Sequence, residues 1–158
     1  MSISFAGLQR SYTTYNTLDT AALYKSIGWD DVVGKSDWSN TCAVRMHLAL
    51  LDAGASISGR FEVVKGPHKG KKIETSQKAL AEKLENSTLL GRVQRLRGGT
   101  EQYKEWSAAL WQKTGVISFQ QMPGYAGGHI DLLDARTRWT CSRLCDFTAG
   151  QLLFWQVR

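Results

Sequence analysis

Long apolar runs are missing from this sequence. None approaches the roughly 18 to 20 residues that span a bilayer, which excludes a membrane-spanning helix. The opening stretch, MSISFAGLQRSYTTYN, lacks a basic start followed by an apolar run, so it does not read as a secretory signal peptide. Work outside the cytoplasm would need another delivery route. There is no internal repeat, no low-complexity tract and no linker. That leaves 1–158 as a single domain, long enough to bury a core without staples. Cysteine and histidine are scarce, three of each, and no spacing among them fits a zinc site. Acidic residues are outnumbered 14 to 20 by Lys and Arg, for a net charge of +6. Such a surface attracts nucleic acid, anionic lipid or anionic cell wall, and charge alone does not choose among them. The densest basic stretch, Lys65 to Lys72, has no interleaved aromatics and reads as a solvated loop with His68 exposed in it.

What is present falls into two halves. The N-terminal third reads helical. One helix runs from Leu18 to Ile27, starts near a Thr/Asp cap and stops at Gly28. A second begins at Cys42 and runs to Ala53, closed by Gly54, with Val44, Leu48 and Leu51 on one face. Phe61 to Val64 reads as a short strand or ordered loop, and Thr75 to Glu85 as a helix carrying Leu80 and Leu84. Thr100 to Lys113 reads as a helix with Tyr103, Trp106 and Leu110 on one side and Gly115 as its end. After that the period changes. Val116 to Phe119, His129 to Asp134, Arg138 to Cys141 and Gln151 to Val157 are β-like, and a Gly/Pro-rich loop, Met122 to Gly128, precedes His129. Helices first and an antiparallel sheet later make an α+β fold.

Two residues carry candidate chemistry. Cys42 stands in the first turn of its helix, where the dipole and free N–H groups stabilise a thiolate. The plain alternative is a small buried residue packing helix on sheet. His129 opens a strand directly after Gly127 and Gly128, which permit close backbone approach and leave an open rim. A strand-borne imidazole facing a helix start is the arrangement an activated cysteine needs. His47, inside the Cys42 helix, cannot face the same way as Cys42 and reads as structural. Cys141 and Cys145 lie about 13 Å apart if extended and about 6 Å apart in a turn. The residues alone therefore leave both a bridge and two reduced thiols open.

Trp38 to Met46 (WSNTCAVRM), followed by Leu48 to Leu50, resembles the nucleophile segment of the type VI secretion amidase effectors, family four. Gly124 to Leu132 (GYAGGHIDL) resembles the histidine segment of the same family, and Tyr24 to Trp29 and the aromatic C-terminal strand also fit. The resemblance implies an NlpC-type papain-like fold and hydrolysis of the bond between D-glutamate and meso-diaminopimelate in peptidoglycan stems. It also implies injection into rival bacteria and a cognate immunity protein that occludes the site. No cofactor, nucleic acid or membrane is implied. The family further implies a disulfide between Cys141 and Cys145, with an acidic residue between them. Here Ser142, Arg143 and Leu144 stand there, without a carboxylate. Asp146 is therefore the expected orienter of His129, and Asp131, two residues from His129 on the same strand face, is the alternative; a backbone carbonyl or Ser142 remain open. A non-catalytic basic module for cell wall or nucleic acid, and a papain-like acyltransferase or protein peptidase, are the rival readings.

Overall fold

The computed structural model describes residues 2–158. Helix α1 (Phe5–Asn16) starts where the Ser4 hydroxyl accepts from the Gly7 N–H, and α2 (Thr20–Ser26) where the Asp19 carboxylate accepts from the Ala22 N–H. The sequence pattern marks α2 but does not delimit α1, whose buried positions are only Phe5, Leu8 and Tyr12 in an otherwise polar stretch. Two 3-10 turns, Asp30–Val32 and Ser36–Trp38, lead into α3 (Cys42–Asp52).

Every residue of α3 from Cys42 to Leu51 is buried, because both flanks of the helix are covered. Val44, Leu48 and Leu51 pack with Leu23, Tyr24, Val63 and Ile73. Ala43, Met46 and Leu50 pack with Leu8 and Tyr12 of α1 and with Ile130, Leu132 and Trp155 of the sheet. At about 1.5 to 3 kcal/mol for each fully buried large apolar side chain, this packing holds the helix start firmly. Its polar members are all partnered. The Arg45 guanidinium donates to Thr41 Oγ1 (2.9 Å) and to the carbonyls of Leu18 (2.7 Å) and Tyr15. His47 Nδ1 accepts from the Glu74 N–H at 2.9 Å, so Nε2 carries the proton and donates to the Ile57 carbonyl at 3.1 Å. Burial lowers the pKa of His47, which is a structural, neutral residue.

A two-residue hairpin, β1 (Phe61–Glu62) and β2 (Lys72–Ile73), flanks the basic loop. His68 is not exposed as expected. It turns inward, 8% exposed, with Nε2 at 2.5 Å from Asp52 Oδ1 at the end of α3. A carboxylate partner outweighs hydration for this one imidazole, while the lysines around it stay in water. Helix α4 (Gln77–Glu85) is capped by Ser76. Strand β3 (Gln94–Arg97) escapes the sequence pattern because Leu96 is its single buried residue. Helix α5 (Tyr103–Leu110) follows a 3-10 turn at Thr100–Gln102. It stops earlier than expected, with Gln112 at φ +65°, and Tyr103, edge-on to Trp106, is 54% exposed rather than buried. Gly115 is not a helix end. It lies inside β4, where a Cβ would stand 2.0 Å from the Trp155 carbonyl oxygen.

The remaining strands are β4 (Thr114–Gln120), β5 (His129–Asp134), β6 (Thr140–Cys141) and β7 (Gln151–Gln156). They form one antiparallel sheet in the order β3-β7-β4-β5-β6. Val116, Ile130, Leu132, Leu153 and Trp155 face α3 and α1. Ile117, Phe119, Leu133, Leu152 and Phe154 pack with Trp106 and Leu110 of α5, flanked by Trp139 and Phe147. Both faces are covered, which is why the central strands read as nearly continuous apolar runs rather than alternating ones.

Candidate active site

Cys42 is the first residue of α3 and is 5% exposed. The residue before the helix, Thr41, makes no side-chain cap. Instead Asn40 Oδ1 accepts from the Cys42 N–H at 3.2 Å. The Asn40 amide also donates to the Gly128 carbonyl (3.2 Å) and to the Tyr125 hydroxyl (3.0 Å). One carboxamide thus ties the helix start to the loop that ends at His129.

His129 is the first residue of β5, paired with Phe119 across the sheet and stacked on its ring. Gly128 before it is required by space. A Cβ there would lie 2.2 Å from Gln77 Nε2 and 2.8 Å from the Phe119 carbonyl oxygen. Nε2 of the imidazole stands 2.8 Å from Asp131 Oδ2, which leaves Nδ1 as the nitrogen for the cavity that His129 shares with Cys42. Burial acts to lower the imidazole pKa. The hydrogen bonds and negative charges of Asp131 and Cys42 override it and raise the value to about 9. At neutral pH His129 is therefore an imidazolium beside the sulfur. Tyr12 lies close by, its hydroxyl donating to the Ile130 carbonyl at 3.2 Å. Burial, then the charges of Asp131 and Cys42, keep that phenol protonated.

Asp131 is fully buried and densely solvated by backbone. Oδ1 accepts from the N–H groups of Leu132 (2.7 Å) and Ser142 (3.1 Å), and Oδ2 from those of Arg143 (2.9 Å) and Leu144 (2.9 Å). Residues 142–144 are the segment enclosed by a disulfide between Cys141 and Cys145, whose Cα atoms are 5.2 Å apart. The bridge bends the chain so that three successive N–H groups converge on one carboxylate, an anion-binding concavity. The acid that this loop lacks in its own sequence stands on the neighbouring strand, inside the loop's grip.

The structure does not bring Asp146 to His129. Its carboxylate accepts from the N–H and hydroxyl of Thr148 and closes a local turn beyond the second cysteine. The carboxylate that meets His129 is that of Asp131, where the converging N–H groups offset a charge that burial would otherwise disfavour.

Cys42 and His129 open into a cavity of about 270 Å³ whose other walls are Ser39, Asn40, Thr41, Tyr125 and Arg143. A helix-borne thiol, a strand-borne imidazole and a carboxylate in series form the arrangement that activates a cysteine nucleophile.

The family model for the type VI secretion system (T6SS) amidase effector protein 4, Tae4, matches residues 38–155. The chain belongs to this family. Among solved structures, Tae4 in the Tae4–Tai4 effector–immunity complex from Enterobacter cloacae superposes with a TM-score of 0.76 at 20% identity, covering 100% of both chains. Tae4 from Enterobacter cloacae alone gives 0.75 at 21% identity, covering 100% of this chain and 98% of that one. The Tae4/Tai4 effector–immunity system from Salmonella typhimurium gives 0.73 at 17% identity, with 100% of both chains covered. No curated protein matches the sequence significantly. The fold is the papain-like α+β fold of these Tae4 structures.

Three contributors to the site are not legible in the sequence. Asn40 reads there as part of a helix start, not as a clasp on the Cys42 N–H. Tyr125 is one aromatic in a Gly-rich loop. The N–H groups of residues 142–144 carry no side-chain signal at all, and only the paired cysteines around them hint at a shaped loop.

Proposed function

We propose that this chain is a cysteine peptidase that hydrolyses the D-glutamyl–meso-diaminopimelate bond of bacterial peptidoglycan. Cys42 is the nucleophile, His129 the acid and base, and Asp131 the orienter. The observation that carries the reading is that Cys42, at the head of a buried helix, and His129, bonded to Asp131, line one cavity. Membership of an amidase effector family supports it, and so does Arg143 in the cavity wall. The γ-linked D-glutamate carries a free carboxylate close to the scissile amide, where a cation favours binding.

Attack requires the thiolate, with the Cys42 proton held on His129. The sulfur attacks the amide carbon, and the Cys42 N–H, which Asn40 holds in the resting site, turns to the oxyanion. His129 gives its proton to the departing amine. Water, deprotonated by His129, then hydrolyses the thioester. Asp131 keeps Nδ1 aimed at the sulfur throughout. The whole chain acts as one catalytic domain.

As an effector of this family, the chain is delivered by type VI secretion into the periplasm of target bacteria. A cognate immunity protein covers the site in the producing cell, a partnership that the complexes of similar proteins support. The test is mass spectrometry of Gram-negative peptidoglycan fragments incubated with the protein. New ends at D-glutamate and diaminopimelate are expected, and none with Cys42→Ala. Cleavage at the sugar–peptide amide or in the glycan would refute the assignment.

A further inference from the structure

Asn40 lines two cavities. One surrounds Cys42 and His129. The other, of about 480 Å³, lies beyond Gly127 and Gly128, between the start of α4 and the end of β4. Apart from Asn40, the reaction described above uses nothing in this second cavity. Its walls carry the carboxamides of Asn40, Gln77, Gln120 and Gln121 and one ammonium, Lys78, with no carboxylate and no aromatic ring. A carboxamide offers both donor and acceptor, the complement of a peptide group. A sugar ring finds no aromatic face to stack on here, and a cationic peptide finds no counter-charge.

The carboxamides are held in place. Ser118, fully buried, donates to Gln77 Oε1 at 2.7 Å and accepts from Gln120 Nε2 at 3.5 Å. Gln77 lies against Gly128, one residue from His129. Gln121 adopts φ +56°, an uncommon conformation for a residue with a side chain, and its carbonyl accepts from the Gly150 N–H at 3.0 Å. A chain with its scissile bond at Cys42 has only to pass Asn40 to enter this space.

We infer that the second cavity is a substrate subsite, which binds a flank of the peptide that bears a free carboxylate. Gln77, Gln120 and Gln121 read its peptide groups, and Lys78 pairs with the carboxylate. The inference rests on the hydrolase reading of Cys42 and His129.

The variants Lys78→Met and Gln121→Ala alter exposed side chains and leave the core untouched. The probes are the stem tetrapeptide L-Ala-γ-D-Glu-meso-diaminopimelate-D-Ala and two shorter peptides, one lacking the first residue and one the last. Each substitution is expected to lower kcat/KM on the tetrapeptide about tenfold, mainly through KM. On the peptide that lacks the bound end, the same substitution costs much less. Equal losses on all three peptides, or none on any, overturn the inference. Calorimetry keeps the two proposals apart. If the tetrapeptide is not cleaved, yet Cys42→Ala protein binds it and Cys42→Ala with Gln121→Ala binds it about tenfold more weakly, the subsite stands and the hydrolase reading falls. Failure of Cys42→Ala protein to bind the tetrapeptide overturns the subsite.

Discussion

Replacing Asp131 by Asn changes one atom of the side chain and should damage both stability and turnover. In the native site Oδ1 receives two N–H donors and Oδ2 receives two more, plus His129 Nε2. An amide offers one acceptor atom. In its better orientation the NH2 group replaces Oδ1 and points hydrogens at the N–H groups of Leu132 and Ser142, which lose their acceptor. At about 1 to 3 kcal/mol for each unsatisfied buried donor, the loss is about 2 to 6 kcal/mol before weakening of the remaining bonds. For a chain of this length each kcal/mol moves Tm by roughly 2 to 4 °C, so a fall of about 10 °C is expected in calorimetry. Turnover should fall by roughly two to four orders of magnitude, because the imidazole keeps only a neutral acceptor and loses its counter-charge. With the Asp131 charge gone, less opposes the burial of His129, and its titration midpoint by NMR should move down from about 9. Asp146→Asn is the control, with Tm and turnover close to wild type, since Asp146 only closes a turn with Thr148. An Asp131→Asn protein that melts within about 2 °C of wild type and keeps turnover within about threefold would refute the reasoning.

Further outcomes follow from the same contacts. The double change Cys141→Ser and Cys145→Ser should cost only about 1 to 2 kcal/mol in urea denaturation, since a short loop releases little chain entropy. It should nevertheless lower turnover well beyond that, by loosening the N–H groups around Asp131. Thiol counting on the unfolded wild-type protein should find one thiol, Cys42. Because folding raises the pKa of His129 from 6.5 to about 9, it adds stability on the order of 3 kcal/mol. That stability is fully present below pH 6.5 and lost as pH rises through about 9. Comparison of wild type with His129→Gln by urea denaturation at both ends of this window should show the difference shrinking toward high pH. Arg45→Met should destabilise by about 3 kcal/mol or more, because the carbonyls of Tyr15 and Leu18 lose a buried donor.

Local sequence determined a good deal of this protein by itself. The apolar spacing from Val44 to Leu51, with Gly54 after it, delimits α3 and places Cys42 at its first turn. The change of period after Gly115 announces the sheet, and Gly127-Gly128-His129 marks where the histidine segment opens into a strand. These features are local, carried by neighbours three or four residues apart in a helix and two apart in a strand. The environment of each polar side chain was decided only by the tertiary structure. His68 is drawn from water by Asp52, and Gly115 is claimed by the sheet because the Trp155 carbonyl approaches it. The sharpest case is the acid of the site. Nothing in the order of residues separates Asp131 from Asp146 as the partner of His129. The choice is made by three backbone N–H groups from a bridged loop that follows ten residues later in the chain. Backbone donors have no residue identity, so their convergence on one carboxylate becomes visible only when the strands are paired.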